Sequence, residues 1–155
     1  EAYRSLLLPL ATVVTPNAPE AEALTGLKVT DQKTMQKAAE HIHALGPAYV
    51  LVKGGHIDGP NASDVLFDGQ SFKIFSETRL HTKSTHGTGC TLASAIAAGL
   101  AHLQSVEISV KTAKSYVTGA INAALPIGQG SGPINHMNKL WIEKYGLGHV
   151  LSTIA

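Results

Sequence analysis

The stretch His86-Gly87-Thr88-Gly89-Cys90 opens directly onto an alanine-rich run, residues 91–98, and this junction decides how the chain is interpreted. The two glycines predict a tight turn in which the backbone can approach a ligand closely. The first amides of the helix that follows have no partner within the helix and point outward. A turn of this kind is suited to binding phosphate or a developing oxyanion.

Cys90 is the only cysteine of the 155 residues, and it stands at the start of the predicted helix, where the helix dipole favours a thiolate. A thiolate there can accept a proton from an attacking hydroxyl. The alternative is a purely structural one, a tight connection from strand to helix with a small buried thiol. An anion site beside an activatable group indicates phosphoryl or acyl transfer.

The composition excludes several classes of partner. Twelve Lys and Arg against eleven Asp and Glu give a formal net charge of +1, so we expect neither nucleic acid nor a membrane surface as partner. The single cysteine indicates a reducing, cytoplasmic compartment without disulfides. The apolar run at residues 6–11 is too short to span a membrane and lacks the basic flank of a signal peptide.

Apolar runs and turn signals predict an α/β order. We expect buried strands at residues 11–15 and 48–52, a hairpin formed by residues 63–67 and 71–75 around Asp68-Gly69, and one more strand at residues 77–82. Helices are predicted at residues 20–25, 32–45, 90–104, 108–125 and 136–145. This order favours an α/β fold with a mostly parallel sheet flanked by helices.

Three marked stretches follow predicted strands: Thr15-Pro16-Asn17, Lys53-Gly54-Gly55 and the loop before Cys90. In parallel sheets, ligands bind beyond the carboxyl ends of the strands. We therefore expect these three stretches to converge on one site.

Two of these stretches carry polar side chains with two interpretations each. Asn17 and Glu20 either hold a hydrated Mg²⁺ ion or form a helix cap in which Glu20 complements the dipole. Lys53 either reaches a phosphate as a point charge or extends to solvent beside a Gly-Gly turn.

Four stretches resemble a known family: residues 15–26 (TPNAPEAEALTG), 52–56 (VKGGH), 84–91 (STHGTGCT) and 132–136 (GPINH). They are similar to hydroxymethylpyrimidine/phosphomethylpyrimidine kinases, the thiamine-biosynthesis branch of the ribokinase-like superfamily. The resemblance implies ATP- and Mg²⁺-dependent phosphorylation of 4-amino-5-hydroxymethyl-2-methylpyrimidine and then of its monophosphate. It also implies that adenine lies near the helix at residues 108–125.

The resemblance assigns roles residue by residue. It implies an anion hole formed by Gly87, Thr88, Gly89 and Cys90, with Cys90 as the candidate base. Asn17 and Glu20 match an N-x-x-E motif associated with Mg²⁺ and phosphate, with Glu20 acting through water, and Lys53 matches a lysine that lies along the nucleotide phosphates. Most ribokinase-like enzymes carry aspartate where this chain has Cys90. A thiolate here either takes the proton or only tunes the electrostatic field.

Family members are considerably longer, and this chain resembles their C-terminal portion. We therefore expect residues 1–155 to be the C-terminal part of a single kinase domain that lacks most of the pyrimidine pocket. The isolated chain is not expected to be an active kinase, and it is expected to form a homo-oligomer or to associate with the missing N-terminal part. A pyridoxal kinase of the same branch and a non-catalytic nucleotide-binding module are the alternatives.

Overall fold

A mixed four-stranded sheet forms the first part of the chain in the computed structural model, which describes residues 2–125 and 128–139. Its strands are β1 (Val13–Val14), β2 (Tyr49–Val52), β3 (Asn61–Phe67) and β4 (Phe72–Thr78), and they lie in this order across the sheet. The chain divides into two units, Glu1–Arg79 and Leu80–Ala155, and the sheet belongs to the first.

Strand direction follows from the connections. β1 pairs with β2 in parallel, and a helical crossover joins them; β2–β3 and β3–β4 are antiparallel. The α/β class is confirmed, but the sheet in the described residues is mixed rather than mostly parallel. A short hairpin loop can join only antiparallel neighbours, and a parallel pair needs a long crossover.

The hairpin between β3 and β4 forms around the predicted Asp68-Gly69 turn. Gly69 has a φ of +91°, and Asp68 Oδ1 accepts hydrogen bonds from the amides of Gln70 at 2.8 Å and Ser71 at 2.6 Å. The ladder continues to the pair Asn61 and Thr78, so both strands are longer than predicted. The extra strand predicted at residues 77–82 is wrong, because its first two residues are the end of β4.

Two capped helices belong to this unit; α2 packs against β2 and β3, and α1 packs against α2. α1 (Ala18–Thr25) begins at Asn17 and ends at Gly26, whose φ is +75°. α2 (Gln32–His43) begins at Asp31, whose Oδ1 accepts a hydrogen bond from the Thr34 amide at 2.8 Å. The apolar face of α2 enters the core together with residues of β2 and β3; it consists of Met35, Ala38, Ala39 and Ile42.

A π-helical turn (Tyr3–Leu7) and a 3₁₀ turn (Leu8–Leu10) precede β1. Leu8 is fully buried in the core of the first unit, whereas Leu6 and Leu10 are exposed. Within residues 2–125 and 128–139, none of the helices combines the length and the apolar character that crossing a membrane requires.

The second unit is helical in its described part. α3 (Thr88–Ala101) begins after Gly87, and α4 (Val106–Asn122) begins after Ser105, whose Oγ accepts a hydrogen bond from the Ile108 amide at 3.3 Å. Both helices begin two residues earlier than predicted, because these caps stand ahead of the apolar repeats. Most of the helix predicted at residues 136–145, including Leu140 and Trp141, lies outside the described residues.

The Asp31 cap predicts a pH effect on stability. Hydrogen bonds from the Thr34 amide and then from its hydroxyl lower the pKa of the Asp31 carboxyl below its usual value of 3.8. A lowered folded pKa stabilises the fold above the unfolded value, and that contribution is lost as the pH falls through the folded value. We expect Asp31→Asn, which can still cap the helix, to lose less stability than the wild type between about pH 6 and about pH 3. Urea unfolding at both pH values measures this, and equal losses in the two proteins would contradict it.

Candidate functional site

The glycine loop (residues 86–90) presents two consecutive backbone amides that have no hydrogen-bond partner in the described part of the chain, those of Gly89 and Cys90. The carbonyls four residues before them are turned to other donors. The Thr85 carbonyl accepts from the Thr88 amide at 3.4 Å, and the His86 carbonyl accepts from the Ile134 amide at 3.3 Å. The two amides therefore stand at the start of α3 as open donors, as the sequence predicted.

A left-handed residue produces this arrangement. Gly87 has a φ of +89°, which residues with a Cβ rarely adopt. Its carbonyl accepts from the Thr91 amide at 2.9 Å and from Thr91 Oγ1 at 2.8 Å. The first complete helical bond is thus that of Thr91, and the amides before it remain outside the helical ladder.

Cys90 is exposed in the first turn of α3. The alternative of a small buried thiol in a tight connection is therefore wrong. The glycine loop thus offers both interactions predicted for it, donors for an anion and an accessible sulfur.

In the first unit, Asn17 and Lys53 lie side by side at the carboxyl ends of β1 and β2. They form an isolated parallel bridge, and the Lys53 amide donates to the Pro16 carbonyl at 2.8 Å. Two of the three predicted stretches therefore meet at one edge of the sheet. The third is the glycine loop of the second unit, and its convergence with them stays a prediction.

Asn17 and Glu20 form a reciprocal cap at the start of α1. Asn17 Oδ1 accepts from the Glu20 amide at 2.8 Å, and Glu20 Oε2 accepts from the Asn17 amide at 2.7 Å. The capping interpretation is confirmed. The other carboxylate oxygen, Oε1, accepts no hydrogen bond from residues 2–125 or 128–139, so it is open to a bound water or ion. In those residues no three His, Cys, Asp or Glu side chains gather at one point.

Lys53 is half-buried, and its ammonium forms no ion pair with any carboxylate of the described residues. A cation in this position, at the end of a buried strand, is available to an anion. Its surroundings fit the phosphate interpretation, although its role stays a prediction.

The loop after Lys53 is fixed by residues that the sequence did not reveal. Asp64, the second residue of the strand predicted at residues 63–67, lies in the middle of β3 and is buried. Its Oδ1 accepts from the Gly54 amide at 3.0 Å. A Cβ added at Gly54 would lie 2.0 Å from the Ser63 carbonyl oxygen, so only glycine fits there.

Arg79 organises the rest of this loop. Its guanidinium donates to the carbonyls of Gly55 at 2.8 Å and Gly59 at 2.9 Å, and also to that of Ile57. An arginine fork can satisfy several carbonyls at once because its five N–H donors have fixed directions. No local pattern marks Arg79, since the loop it binds lies about twenty residues earlier in the sequence.

Comparisons with known proteins identify the family of the chain. The sequence model of a family described as phosphomethylpyrimidine kinase matches residues 1–135. A hydroxymethylpyrimidine/phosphomethylpyrimidine kinase of Streptomyces coelicolor is 51% identical over 136 residues, which are 88% of this chain and 50% of that protein. The chain thus spans about half the length of this relative.

Solved structures show the same fold. Staphylococcus aureus pyridoxal kinase in complex with AMP-PCP and pyridoxal matches with a TM-score of 0.88 at 38% identity, over 92% of this chain and 54% of that one. Phosphomethylpyrimidine kinase from Clostridium difficile matches with a TM-score of 0.64 at 40% identity, over 77% and 47%. The ribokinase-like α/β fold is therefore confirmed for this chain.

The close approach at Gly54 predicts a position-specific loss of stability. We expect Gly54→Ala to lower the free energy of unfolding by about 1–3 kcal/mol, because the new methyl group would press on the backbone of β3. The matched control is Gly55→Ala, since a Cβ there meets no atom within 4 Å. Urea unfolding of both variants measures the difference. Equal stability of the two variants would contradict the packing described for this loop.

Proposed function

Since the chain belongs to the phosphomethylpyrimidine kinase family, we propose that it carries the phosphate-binding half of a kinase of thiamine biosynthesis. Its substrates are 4-amino-5-hydroxymethyl-2-methylpyrimidine and the monophosphate of that compound, with ATP as the phosphoryl donor. The observation that carries this proposal is the pair of open amides of Gly89 and Cys90. The proposal places the protein in the cytoplasm.

The glycine loop fits a phosphoryl group. Two adjacent N–H donors at a helix N-terminus match the oxygens of a phosphate, and the helix dipole adds favourable charge. Gly87 and Gly89 carry no side chain that could keep a ligand away from these donors. The hydroxyl of Thr88 lies in the same turn and can donate a further hydrogen bond. ATP, when bound here, supplies the phosphoryl group that is transferred.

Cys90 acts on the acceptor hydroxyl in this proposal. The alcohol must lose its proton as its oxygen bonds to phosphorus, and the exposed Sγ of Cys90 is positioned on the glycine loop to take it. The open amides stabilise negative charge on the transferred group, which is the larger demand of phosphoryl transfer. If the thiolate only tunes the field, loss of the sulfur has a small effect on turnover.

The first unit supplies the countercharges. Lys53 neutralises phosphate oxygens of the nucleotide through its ammonium, which forms no ion pair within residues 2–125 and 128–139. Glu20 and Asn17 hold Mg²⁺ through water, with Glu20 Oε1 as the open oxygen while Oε2 stays in the helix cap. Mg²⁺ commonly keeps several waters in such sites, so an exposed carboxylate beside an amide suits it.

Pyridoxal kinase is the second candidate, because the S. aureus enzyme crystallised with pyridoxal matches 92% of the chain. The higher identity to the S. coelicolor protein favours the pyrimidine substrate. A nucleotide-binding module without catalysis is the third candidate. The exposed sulfur of Cys90 weighs against it, because binding alone does not require a proton acceptor beside the open amides.

ATP-dependent phosphorylation decides among these functions. Hydroxymethylpyrimidine and pyridoxal are offered to the 155-residue chain and to the same chain joined to the part of the S. coelicolor relative that it does not cover. We expect activity in the completed protein, with higher kcat/KM for hydroxymethylpyrimidine than for pyridoxal. A preference for pyridoxal would favour the second candidate, and no activity toward either acceptor would contradict a kinase.

The same assay tests Cys90. We expect Cys90→Ala to lower turnover at least ~10²-fold, the lower end for the loss of a general base. The matched control is Ser94→Ala, one turn further along the same helix at an exposed position. Turnover near that of the wild type in a folded Cys90→Ala protein would exclude the sulfur as the base.

A further inference from the structure

A segment after α4, residues 131–138, lies against the glycine loop and is named here the bracing segment. The His86 amide donates to the Gly132 carbonyl at 3.0 Å, and the Ile134 amide donates back to the His86 carbonyl at 3.3 Å. Gly132 lies so near the loop that a Cβ there would be 2.6 Å from Ser84 Oγ. This segment takes up the His86 carbonyl that would otherwise pair with the Cys90 amide.

The bracing segment is also fastened to α4. The Asn135 amide donates to the Ala120 carbonyl at 2.9 Å, and Asn135 Nδ2 donates to the Ala123 carbonyl at 3.1 Å. The Tyr116 hydroxyl donates to the His136 carbonyl at 2.7 Å. These bonds to α4 fix the backbone of the segment at His136. They do not involve the imidazole of His136.

That imidazole reaches the glycine loop through Thr91. His136 Nε2 lies 2.9 Å from Thr91 Oγ1, and Thr91 Oγ1 donates to the Gly87 carbonyl at 2.8 Å. A hydroxyl has one hydrogen, and a carbonyl oxygen can only accept a hydrogen bond, so the bond to Gly87 uses the hydrogen of the Thr91 hydroxyl. Thr91 Oγ1 therefore accepts from His136, which requires the hydrogen of the imidazole on Nε2. Donation by His136 also polarises the hydroxyl and strengthens its bond to Gly87.

We propose that His136 is a positioning residue for phosphoryl transfer, acting through Thr91 to hold the left-handed turn at Gly87. A fixed Gly87 carbonyl fixes the peptide plane before Thr88, and with it the direction of the next two amides. His136 touches no reacting atom and works by keeping these donors aimed at the phosphoryl group. This inference rests on the proposed function.

Kinetics of the completed kinase test the positioning role. We expect His136→Ala to lower kcat by about 10- to 100-fold with KM for ATP within about threefold of the wild type, because misaimed donors weaken the transition state most. His136→Gln keeps an N–H donor and restores most of kcat. We expect Thr91→Val and the double variant Thr91→Val/His136→Ala to have equal kcat, because each lacks the hydrogen bonds that join His136 to Gly87 through Thr91. A wild-type kcat in His136→Ala, or additive losses in the double variant, would overturn the proposal.

Hydrogen exchange of the 155-residue chain gives a readout that needs no activity. We expect His136→Ala to speed exchange of the Thr88 and Thr91 amides, which donate to the carbonyls of Thr85 and Gly87, by about fivefold to tenfold, as expected for the loss of one hydrogen bond. The matched control is His102→Ala at the other, exposed end of α3, and it leaves that exchange unchanged. Unchanged exchange in His136→Ala would overturn the positioning role even in an active kinase. A wild type without kinase activity would overturn the proposed function, and the exchange result would then decide the positioning role alone.

Discussion

The arrangement of the site depends on keeping two backbone amides out of the helix that follows them. The first amides of a helix have no partner within the helix, but the preceding turn can supply carbonyl partners, and such bonds would close the donors of Gly89 and Cys90. The left-handed conformation of Gly87 turns the chain just before the helix. The carbonyls of Thr85 and His86, which could pair with these two amides, accept hydrogen bonds from the amides of Thr88 and Ile134 instead. Open donors are thus maintained by the structure around them, and the site is preorganised before any ligand arrives.

The position of Lys53 at the end of β2 also depends on a glycine, through a close approach of two backbone segments. Lys53 lies at the end of a buried strand. The loop that follows it packs directly against the backbone of β3. Gly54 fits beneath the Ser63 carbonyl, and the carboxylate of Asp64 holds its amide. A side chain at residue 54 would displace this turn and the lysine before it. In both units, then, a glycine lets the backbone adopt a shape that presents the polar groups for which we propose anion binding.

Local chemistry made much of this predictable. The caps at Asn17 and Asp31, the Asp68-Gly69 turn and the apolar face of α2 each follow from neighbours within four residues. The glycine loop was predicted for the same reason. Asp64 and Arg79 were not, because their partners lie 10 and 20 residues away and nothing local marks them. His136 lies in one of the stretches that carry the resemblance, but its contact with Thr91, 45 residues away, was not predicted. The antiparallel pairing of β2 with β3 also escaped prediction, because it depends on how the loop between these strands returns the chain to the sheet.

We propose that the amides of Gly89 and Cys90 bind the phosphate group through hydrogen bonds. Nuclear magnetic resonance of the ¹⁵N-labelled chain, titrated with AMP-PCP and Mg²⁺, observes these two amides individually. We predict that their proton resonances move most, in the direction produced by a new hydrogen bond to a charged oxygen. Binding that shifts other residues and leaves both of these amides unchanged would contradict the account.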